Sequence, residues 1–505
     1  MQVSDQKEVC AFLSAEMAAR GAVEEIETHI SHLFVGPQIA WKLKRAVKLP
    51  YAEFDTPERR LAVCEREVTL NRRTASAYYL GVRRITWTEG GLEFDGDGEL
   101  IDAVVEMQRF DQNALFDRMA TRGALSPALM ERLAVEIAHL HETCEPDIRP
   151  GSERVAEVLD VNEAALAQTR VFPADEVEAF NAVFRREAKA LAPRLDARGL
   201  AGRVRRAHGD LHLRNIFLEE DRPVIFDCIE FNDTLATVDL LYDLAFLLMD
   251  LVHRCLPVFA NLVMNRYLDL ADDEDGLPCL PFFMALRAAV RAHVTATAIE
   301  EGDDTPDRRR EARAYFDLAL DLLRPQQAVL VAIGGLSGTG KSTLAASVAP
   351  MFGTGAGART ISSDRVRKSL HGVAPETRLP PEAYRPEVSA KVYATLNARA
   401  EALVAAGISV VADAVFAKAE ERDRIEAAAR IADGQFCGIW LDAPAQTLRA
   451  RVVERKSGPS DADVAVLETQ LAYDLGPLRW TRLDATVTPD ALASTIRDAA
   501  LKPAR

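Results

Sequence analysis

The feature that most constrains the fold is a glycine-rich stretch, GGLSGTGKST, at residues 334–343. It follows the apolar run 328–333, and its spacing matches G-x-x-x-x-G-K-[ST] from Gly335 to Ser342. Glycines let the backbone curl so that successive N–H groups point at phosphate oxygens. A strand, this loop and a helix in succession therefore predict a phosphate-binding loop at the carboxyl end of a strand.

The side chains of this loop suit the same chemistry. The Lys341 ammonium supplies charge to the outer phosphates of a nucleotide, and the Ser342 hydroxyl can ligate Mg²⁺. We predict these nucleotide-binding residues: Gly335, Gly338, Gly340, Lys341, Ser342 and Thr343.

Strands and helices alternate in the second part of the chain. Continuous apolar runs between amphipathic helices are typical of a parallel sheet covered on both faces. The predicted strands are 328–333, 359–364, 408–413, 436–441 and 479–485. We therefore predict an α/β P-loop NTPase domain over 326–505.

Polar residues near the ends of these strands are candidates for catalysis, because ligands of open parallel sheets bind there. Asp364 at a predicted strand end can accept the proton of an attacking hydroxyl, and Arg367 can hold the acceptor. The alternative is an N-cap aspartate with a surface arginine. Asp413 is a candidate Mg²⁺ ligand or a helix cap. Arg451, with Arg455 on the same helix face, either clamps the phosphoryl group or forms a solvated basic face.

A second set of candidates precedes this domain. The stretch AHGDLHLRNIF (207–217) offers Asp210 and, five residues later, Asn215. The apolar segment that follows is predicted as a strand ending at Asp227. Phosphoryl transfer needs a carboxylate to orient the acceptor hydroxyl, and an amide and an acid to hold Mg²⁺. The two elements together predict Asp210 as the base, and Asn215 and Asp227 as metal ligands.

The same chemistry needs a lysine on the nucleotide phosphates and a glutamate that positions it. The predicted strand AWKLKR offers Lys42 and Lys44 on one face, since side chains alternate with period two. The predicted helix 57–73 offers Glu65 and Glu67. Solvated strand lysines are the alternative.

At 505 residues the chain exceeds the size of one hydrophobic core. We predict two domains, 1–325 and 326–505, with an N-lobe over about 27–110 and a C-lobe over about 111–325 in the first. The segments 126–200 and 238–323 are predicted to be largely helical. The acidic loop 271–276 (ADDEDG) is expected to be solvated, although it could also attract a cationic acceptor.

Composition limits the partners. A net charge of −16 and a pI near 5.2 argue against long nucleic-acid tracts, which need a basic face. Seven scattered cysteines predict neither disulfides nor a zinc site. The apolar run 240–252 is interrupted by Asp243 and Asp250, and we expect a cytoplasmic protein without a membrane partner. Oligomeric state is not predicted.

These motifs carry two resemblances. Residues 27–320 resemble the aminoglycoside phosphotransferase and choline-kinase branch of the kinase-like fold, through HGDLHLRN and IFD. That resemblance implies a bilobal α+β fold, Asp210 as catalytic base, Asn215 and Asp227 on Mg²⁺, a Lys42–Glu67 ion pair and a hinge at 105–110 for adenine. It departs from the kinase pattern because the first hairpin lacks G-x-G-x-x-G.

Residues 328–500 resemble P-loop kinases of the zeta-toxin, gluconate-kinase and polynucleotide-kinase type, through GGLSGTGKST, SSDRVRK and VVADAVF. That resemblance implies Asp364 as the base, and Arg367 and a lid arginine on phosphate. The complete order resembles the bifunctional aminoglycoside phosphotransferase/ATP-binding protein family.

We therefore predict two kinase regions, each using Mg²⁺ and ATP to phosphorylate a hydroxyl of a small molecule. The alternatives are a nucleotide-binding regulatory module in the first region and a nucleic-acid-end kinase in the second.

Overall fold

The computed structural model describes residues 6–49, 52–454 and 460–500. The chain divides into two compact units. Unit 1 comprises Met1–Val158 and Ala190–Asp250, and unit 2 comprises Leu159–Lys189 and Leu251–Arg505. These bounds differ from the predicted domains, so the boundary near residue 325 stays a prediction.

The first half of the chain mixes short strands with long helices. Its elements are α1 Lys7–Ala18, β1 Glu24–Glu27, β2 Ser31–Val35, β3 Ile39–Lys44, β4 Lys48–Leu49, β5 Ala52–Glu53, α2 Pro57–Ala75, β6 Tyr79–Thr88, β7 Gly91–Phe94, β8 Glu99–Gln108, α3 Phe116–Thr121, α4 Pro127–Thr143, α5 Gly151–Gln168, α6 Ala174–Leu200, β9 Val204–Arg206, β10 Ile216–Glu219, β11 Arg222–Ile225, α7 Asp233–Ala236, β12 Thr237–Asp239 and α8 Leu240–His253.

The second half begins with helices and continues as alternating strands and helices. Its elements are α9 Pro257–Ala271, α10 Leu280–Glu300, α11 Pro306–Leu322, β13 Val329–Gly335, α12 Lys341–Val348, β14 Arg359–Ser362, α13 Ser363–Leu370, α14 Pro386–Ala405, β15 Val410–Asp413, α15 Ala419–Ile431, β16 Gln435–Asp442, α16 Ala445–Glu454, α17 Val464–Leu471, β17 Thr481–Asp484 and α18 Pro489–Ala500.

Unit 1 contains a six-stranded antiparallel sheet in the order β1-β2-β3-β8-β6-β7. Helix α2 begins at Pro57, where the Thr56 side chain caps the Arg59 N–H. Side chains of β8 alternate between the two faces, so Val104 packs with α1 while its neighbours Ala103 and Val105 pack with α2. The face toward α2 also receives the lysines of β3.

Unit 2 contains a five-stranded sheet in the order β14-β15-β13-β16-β17, and every pairing is parallel. Its apolar strands are buried as the continuous hydrophobic runs predicted. Val331 and Val411, for example, are 0% exposed and pack against α12 and α18. The predicted fold class, a kinase-like α+β region followed by an α/β P-loop region, is confirmed.

Two predicted strand ends are wrong. Strand β11 ends at Ile225, because Asp227 adopts a left-handed φ of 61° that a strand cannot continue through. Strand β14 ends at Ser362, and Asp364 lies in the first turn of α13, where the helix dipole favours a carboxylate.

The acidic loop is only partly solvated: Asp272 and Asp275 are exposed, but its other two acids are not. Asp273 is 0% exposed, and Glu274 forms ion pairs with Arg359 and Arg399. Long-range pairs of this kind leave no local sequence signal.

One segment of the described residues, Glu274–Glu300, is long and apolar enough to cross a membrane by length and composition alone. It differs from the apolar run 240–252 considered from the sequence. Because 67% of its apolar window is buried inside the protein, it has the character of a core helix.

Candidate active sites

The predicted catalytic loop of unit 1, residues 207–217, is fixed by Asp243 of α8. Asp243 is fully buried and accepts the backbone N–H groups of His208 and Gly209, at 3.2 and 2.8 Å. Within the loop, the Asn215 amide nitrogen donates to Asp210 Oδ2 at 2.9 Å and to its carbonyl at 3.0 Å. The predicted base and the predicted metal ligand are therefore side by side, in an arrangement that buried hydrogen bonds hold.

His208 is a structural member of this loop. Its Nδ1 accepts the Asp210 N–H at 3.2 Å, which leaves Nε2–H to donate to the Phe226 carbonyl at 2.9 Å. Burial lowers its pKa, consistent with this neutral form. His212 accepts the Arg214 N–H, and its Nε2 lies 3.4 Å from Asp210 Oδ2.

The structure brings the predicted lysine, glutamate and acid together. Lys42 Nζ lies 2.8 Å from Glu67 Oε1 and 2.5 Å from Asp227 Oδ1. Burial by itself lowers the Lys42 pKa, but Asp227 and Glu67 outweigh it and hold the pKa well above its ordinary value. Lys42 is thus a charged side chain beside the metal-ligand candidate, and the solvated-lysine alternative is wrong.

Lys44 plays a different part from Lys42. It is 0% exposed, and its Nζ lies 2.5 Å from both Glu67 Oε2 and Glu230 Oε1. Each oxygen of Glu67 therefore faces one lysine, and these cations hold the Glu67 pKa well below its usual range despite the opposing effect of burial. Glu65 is exposed.

Asp227 is held in its unusual backbone conformation by Tyr79, whose hydroxyl accepts the Asp227 N–H at 3.2 Å. The N–H of its neighbour Phe226 donates to the Asn215 carbonyl at 3.0 Å, which joins the segment to the catalytic loop. A residue other than glycine costs conformational energy in the left-handed region, and it persists there where surrounding contacts fix the backbone. The Asp227 side chain is 38% exposed.

The P-loop of unit 2 has the backbone that its glycines permit. Gly335, Gly338 and Gly340 have φ values of 147°, 86° and 84°. A Cβ at Gly338 would lie 2.8 Å from the Leu448 carbonyl oxygen, so a side chain does not fit there. Lys341 donates to the Leu336 carbonyl at 3.1 Å.

The structure brings together Ser342 and Asp413, the two predicted metal ligands of unit 2. Ser342 Oγ donates to Asp413 Oδ2 at 2.5 Å. Burial raises the Asp413 pKa, while Lys341 opposes that effect. Asp413 ends β15 six residues before α15 begins, so it caps no helix, and that alternative is wrong.

A cavity of about 1480 Å³ opens beside the P-loop, and unit 2 alone lines it. Its lining includes most of the predicted site residues of this region, namely Gly338, Gly340, Lys341, Ser342, Thr343, Asp364, Arg367, Asp413 and Arg451. The local order of β13, loop and α12 places the predicted phosphate-binding backbone at one side of this space.

Arg367 is not a surface arginine. It is 7% exposed, its guanidinium lies 4.7 Å above the Tyr384 ring, and it donates to the Ala383 carbonyl at 2.6 Å. Arg451 also donates to backbone, at the Ala485 carbonyl. Arg455 lies outside the described residues.

Three functional candidates escaped the sequence analysis: Lys44 as a buried ion-pair partner, Glu230 and Tyr79. Glu230 follows Asp227 by three residues in a stretch already singled out, and an acid in an otherwise apolar run was a usable signal. Tyr79 offered no sequence signal, because tyrosine is common in strands.

Both donor sets suit Mg²⁺, which prefers oxygen ligands from one or two carboxylates and completes its shell with phosphate and water. In unit 1 these are the Asn215 amide oxygen and Asp227, and in unit 2 Ser342 and Asp413. Among the described residues no three His, Cys, Asp or Glu side chains form a metal cluster.

The comparisons with known proteins match both regions. Residues 91–283 match the model of the phosphotransferase enzyme family, and residues 330–474 match that of the AAA domain. The chain therefore carries a phosphotransferase-family region followed by a P-loop kinase-like region, and together they support phosphotransferase activity.

Relatives extend over nearly the whole chain. Uncharacterized proteins of Mycobacterium tuberculosis and Mycobacterium bovis are 28% identical over 466 residues, which is 89% of this chain and 90% of theirs.

Solved structures each cover part of this chain. A choline/ethanolamine kinase family protein from Mesorhizobium loti is 15% identical with a TM-score of 0.40, and covers 62% of this chain and 95% of its own. A gluconokinase from Sinorhizobium meliloti is 22% identical with a TM-score of 0.24, and the match covers 35% of this chain and 91% of the gluconokinase chain.

Proposed function

We propose that the chain is a two-site, ATP-dependent phosphotransferase. Each region binds Mg²⁺ and ATP and transfers the γ-phosphoryl group to a hydroxyl of a small molecule. The observation that carries this proposal is that each region has a lysine near a candidate metal-binding carboxylate. Lys42 touches Asp227 in unit 1, and Ser342 touches Asp413 beside Lys341 in unit 2.

In unit 1, Asp210 accepts the proton of the acceptor hydroxyl while that oxygen bonds to the γ-phosphorus and the bond to the ADP oxygen breaks. Asn215 orients Asp210, and Lys42 moves from Asp227 to the nucleotide phosphates under the control of Glu67. In unit 2, Asp364 is the base and the P-loop N–H groups with Lys341 hold the phosphates. Bound Mg²⁺ neutralises phosphate charge in both sites.

Both regions belong in the cytoplasm in this proposal, because ATP is there and the seven cysteines are scattered, without a C-x-x-C pair. The acceptors of the two sites are small molecules, without a membrane or long nucleic acid as a partner.

Calorimetric titration with a non-hydrolysable ATP analogue and Mg²⁺ tests the two-site claim. The wild-type chain is expected to bind about two nucleotides, and Asp227→Ala and Lys341→Ala about one each. Matched controls are Asp221→Ala, an acid 79% exposed, and Lys391→Ala, an exposed lysine of α14. A wild-type stoichiometry of one nucleotide per chain would refute the claim.

Transfer itself is tested with labelled ATP and a cell extract of small molecules, followed by a panel of sugars, sugar acids, amino alcohols and short oligonucleotides. Products that vanish with Asp210→Ala belong to unit 1, and those that vanish with Asp364→Ala belong to unit 2. Labelling of oligonucleotide ends alone would replace the small-molecule acceptor of unit 2 by a nucleic-acid end.

A further inference from the structure

A buried ion-pair cluster lies on the opposite side of β14 from β15, within unit 2. We call it the Arg359 cluster, and its members are Asn265, Asp269, Glu274, Arg359, Arg365 and Arg399. Arg359 is the first residue of β14 and only 1% exposed. The two acids come from α9 and the turn after it, which precede residue 325 in the chain.

Asp269 joins a strand to a helix. Its Oδ1 accepts from Arg359 Nη2 at 2.7 Å, and its Oδ2 accepts from Arg365 Nη1 at 2.6 Å. Arg365 is the third residue of α13 and directly follows Asp364. One carboxylate that is 11% exposed thus ties the start of β14 to the first turn of the helix that carries the proposed base.

Glu274 makes the corresponding link to α14. Its Oε1 accepts from Arg359 Nε at 2.6 Å, and its Oε2 accepts from Arg399 Nε at 2.9 Å. Burial alone would raise the Glu274 pKa, but the two guanidinium groups lower it to about 2. Glu274 is therefore charged at neutral pH. Its ion pair with Arg399 fixes α14, the helix that carries Tyr393 in the cavity wall.

Asn265 supplies hydrogen bonds where the sheet ends. Strand β14 is an edge strand, whose outer N–H and C=O groups have no neighbouring strand. The Asn265 Oδ1 accepts the Thr360 N–H at 2.8 Å, and its amide nitrogen donates to the Ala358 carbonyl at 3.2 Å. Helix α9 thus takes the place of a sixth strand and fixes the register of β14 up to α13.

We propose that Asp269 and Arg365 are positioning residues for Asp364, and that α9 is therefore part of the phosphotransfer apparatus of unit 2. This inference rests on the proposed function of that site. The physical reason is that a base must stay within hydrogen-bond reach of the attacking hydroxyl, and displacement by about 1 Å costs about a hundredfold in rate. Two oriented ion pairs on a buried carboxylate restrict that displacement.

The test uses the full chain with Asp227→Ala, which silences unit 1. Arg365→Met removes the link to α13, and because that side chain is 27% exposed the protein is expected to fold. The matched control is Arg430→Met, an exposed arginine at the end of α15. The probe is ATP alone with water as acceptor, so that the water oxygen bonds to the γ-phosphorus, ADP leaves and Asp364 takes the proton.

For Arg365→Met we expect kcat for ADP formation to fall about tenfold, with KM for ATP changed by less than about twofold and an unchanged melting temperature. A purely structural role would instead lower the melting temperature without this separation of kcat from KM. Hydrogen exchange should increase in Ser363–Leu370 and not in Lys341–Val348. Unchanged kcat, or unchanged exchange in α13, overturns the proposal.

Asp364→Asn separates this inference from the proposed function. If Asp364→Asn turns over ATP at the unsubstituted rate, the assignment of the base is wrong, and the positioning role is wrong with it. If the unsubstituted chain makes no ADP, the proposed function fails in this assay. The exchange measurement then decides whether Arg365 restrains α13.

Discussion

Glu274→Gln removes one carboxylate of the Arg359 cluster and keeps its size. The free energy of unfolding should fall at neutral pH, and the difference from wild type should shrink in acid. The sign follows from the lowered pKa of Glu274. Its contribution is fully present above the ordinary value of 4.5, and it is lost as the pH falls through the folded value of about 2.

The magnitude follows from the same shift. A change from 4.5 to about 2 corresponds to about 3 kcal/mol at neutral pH, since one pKa unit is worth about 1.4 kcal/mol. Because the Glu274 side chain is only 18% exposed, solvent screens this interaction little. By pH 3.5 protonation in the unfolded chain reduces the difference to about 2 kcal/mol, and near pH 2 most of it is gone.

Urea unfolding from pH 7 to pH 3.5 measures this difference. Tryptophan fluorescence can report it, because unit 2 contains the buried Trp440 and Trp480. Glu426→Gln is the control, since that residue is exposed on α15. A difference between wild type and Glu274→Gln that is under about 1 kcal/mol at pH 7, or that stays constant with pH, would refute the reasoning.

Two further substitutions probe the sites themselves. Lys44→Met leaves Glu67 and Glu230 buried without their shared cation, and should cost about 3–5 kcal/mol in urea unfolding. Stability equal to wild type would contradict this, and the double variant Lys44→Met/Glu230→Leu should recover part of the loss. Gly338→Ala places a Cβ 2.8 Å from the Leu448 carbonyl at a φ of 86°, so nucleotide affinity at the P-loop should fall about tenfold or more in calorimetry. An unchanged Kd would show that the loop accommodates the added Cβ without loss of nucleotide affinity, which would contradict the prediction.

Much of the fold was accessible from local sequence patterns. Helix α2 was predicted as 57–73 and extends over Pro57–Ala75, because a capped start and an apolar stripe are local features. All five strands of the parallel sheet were located within a few residues. The strand ends were less predictable. Asp227 and Asp364 lie beyond the ends of their predicted strands, in a left-handed conformation and in a first helical turn, and tertiary contacts decide both.

The candidate sites were likewise predictable from the sequence only in part. The sequence by itself determined the P-loop, the catalytic loop and the types of residue in each, because those motifs are contiguous and their chemistry follows from residue type and spacing. It left Lys42 and Lys44 undecided, and only the tertiary structure places Lys42 beside Asp227 and Lys44 between two buried glutamates.

The acidic loop 271–276 shows the physical reason. Read locally, it is a run of charges that water should solvate. Glu274 pairs instead with Arg359 and Arg399, which are 85 and 125 residues away in the chain. Ion pairs over such separations have no periodicity or spacing to reveal them, and they exist only once folding has brought α9, β14 and α14 together.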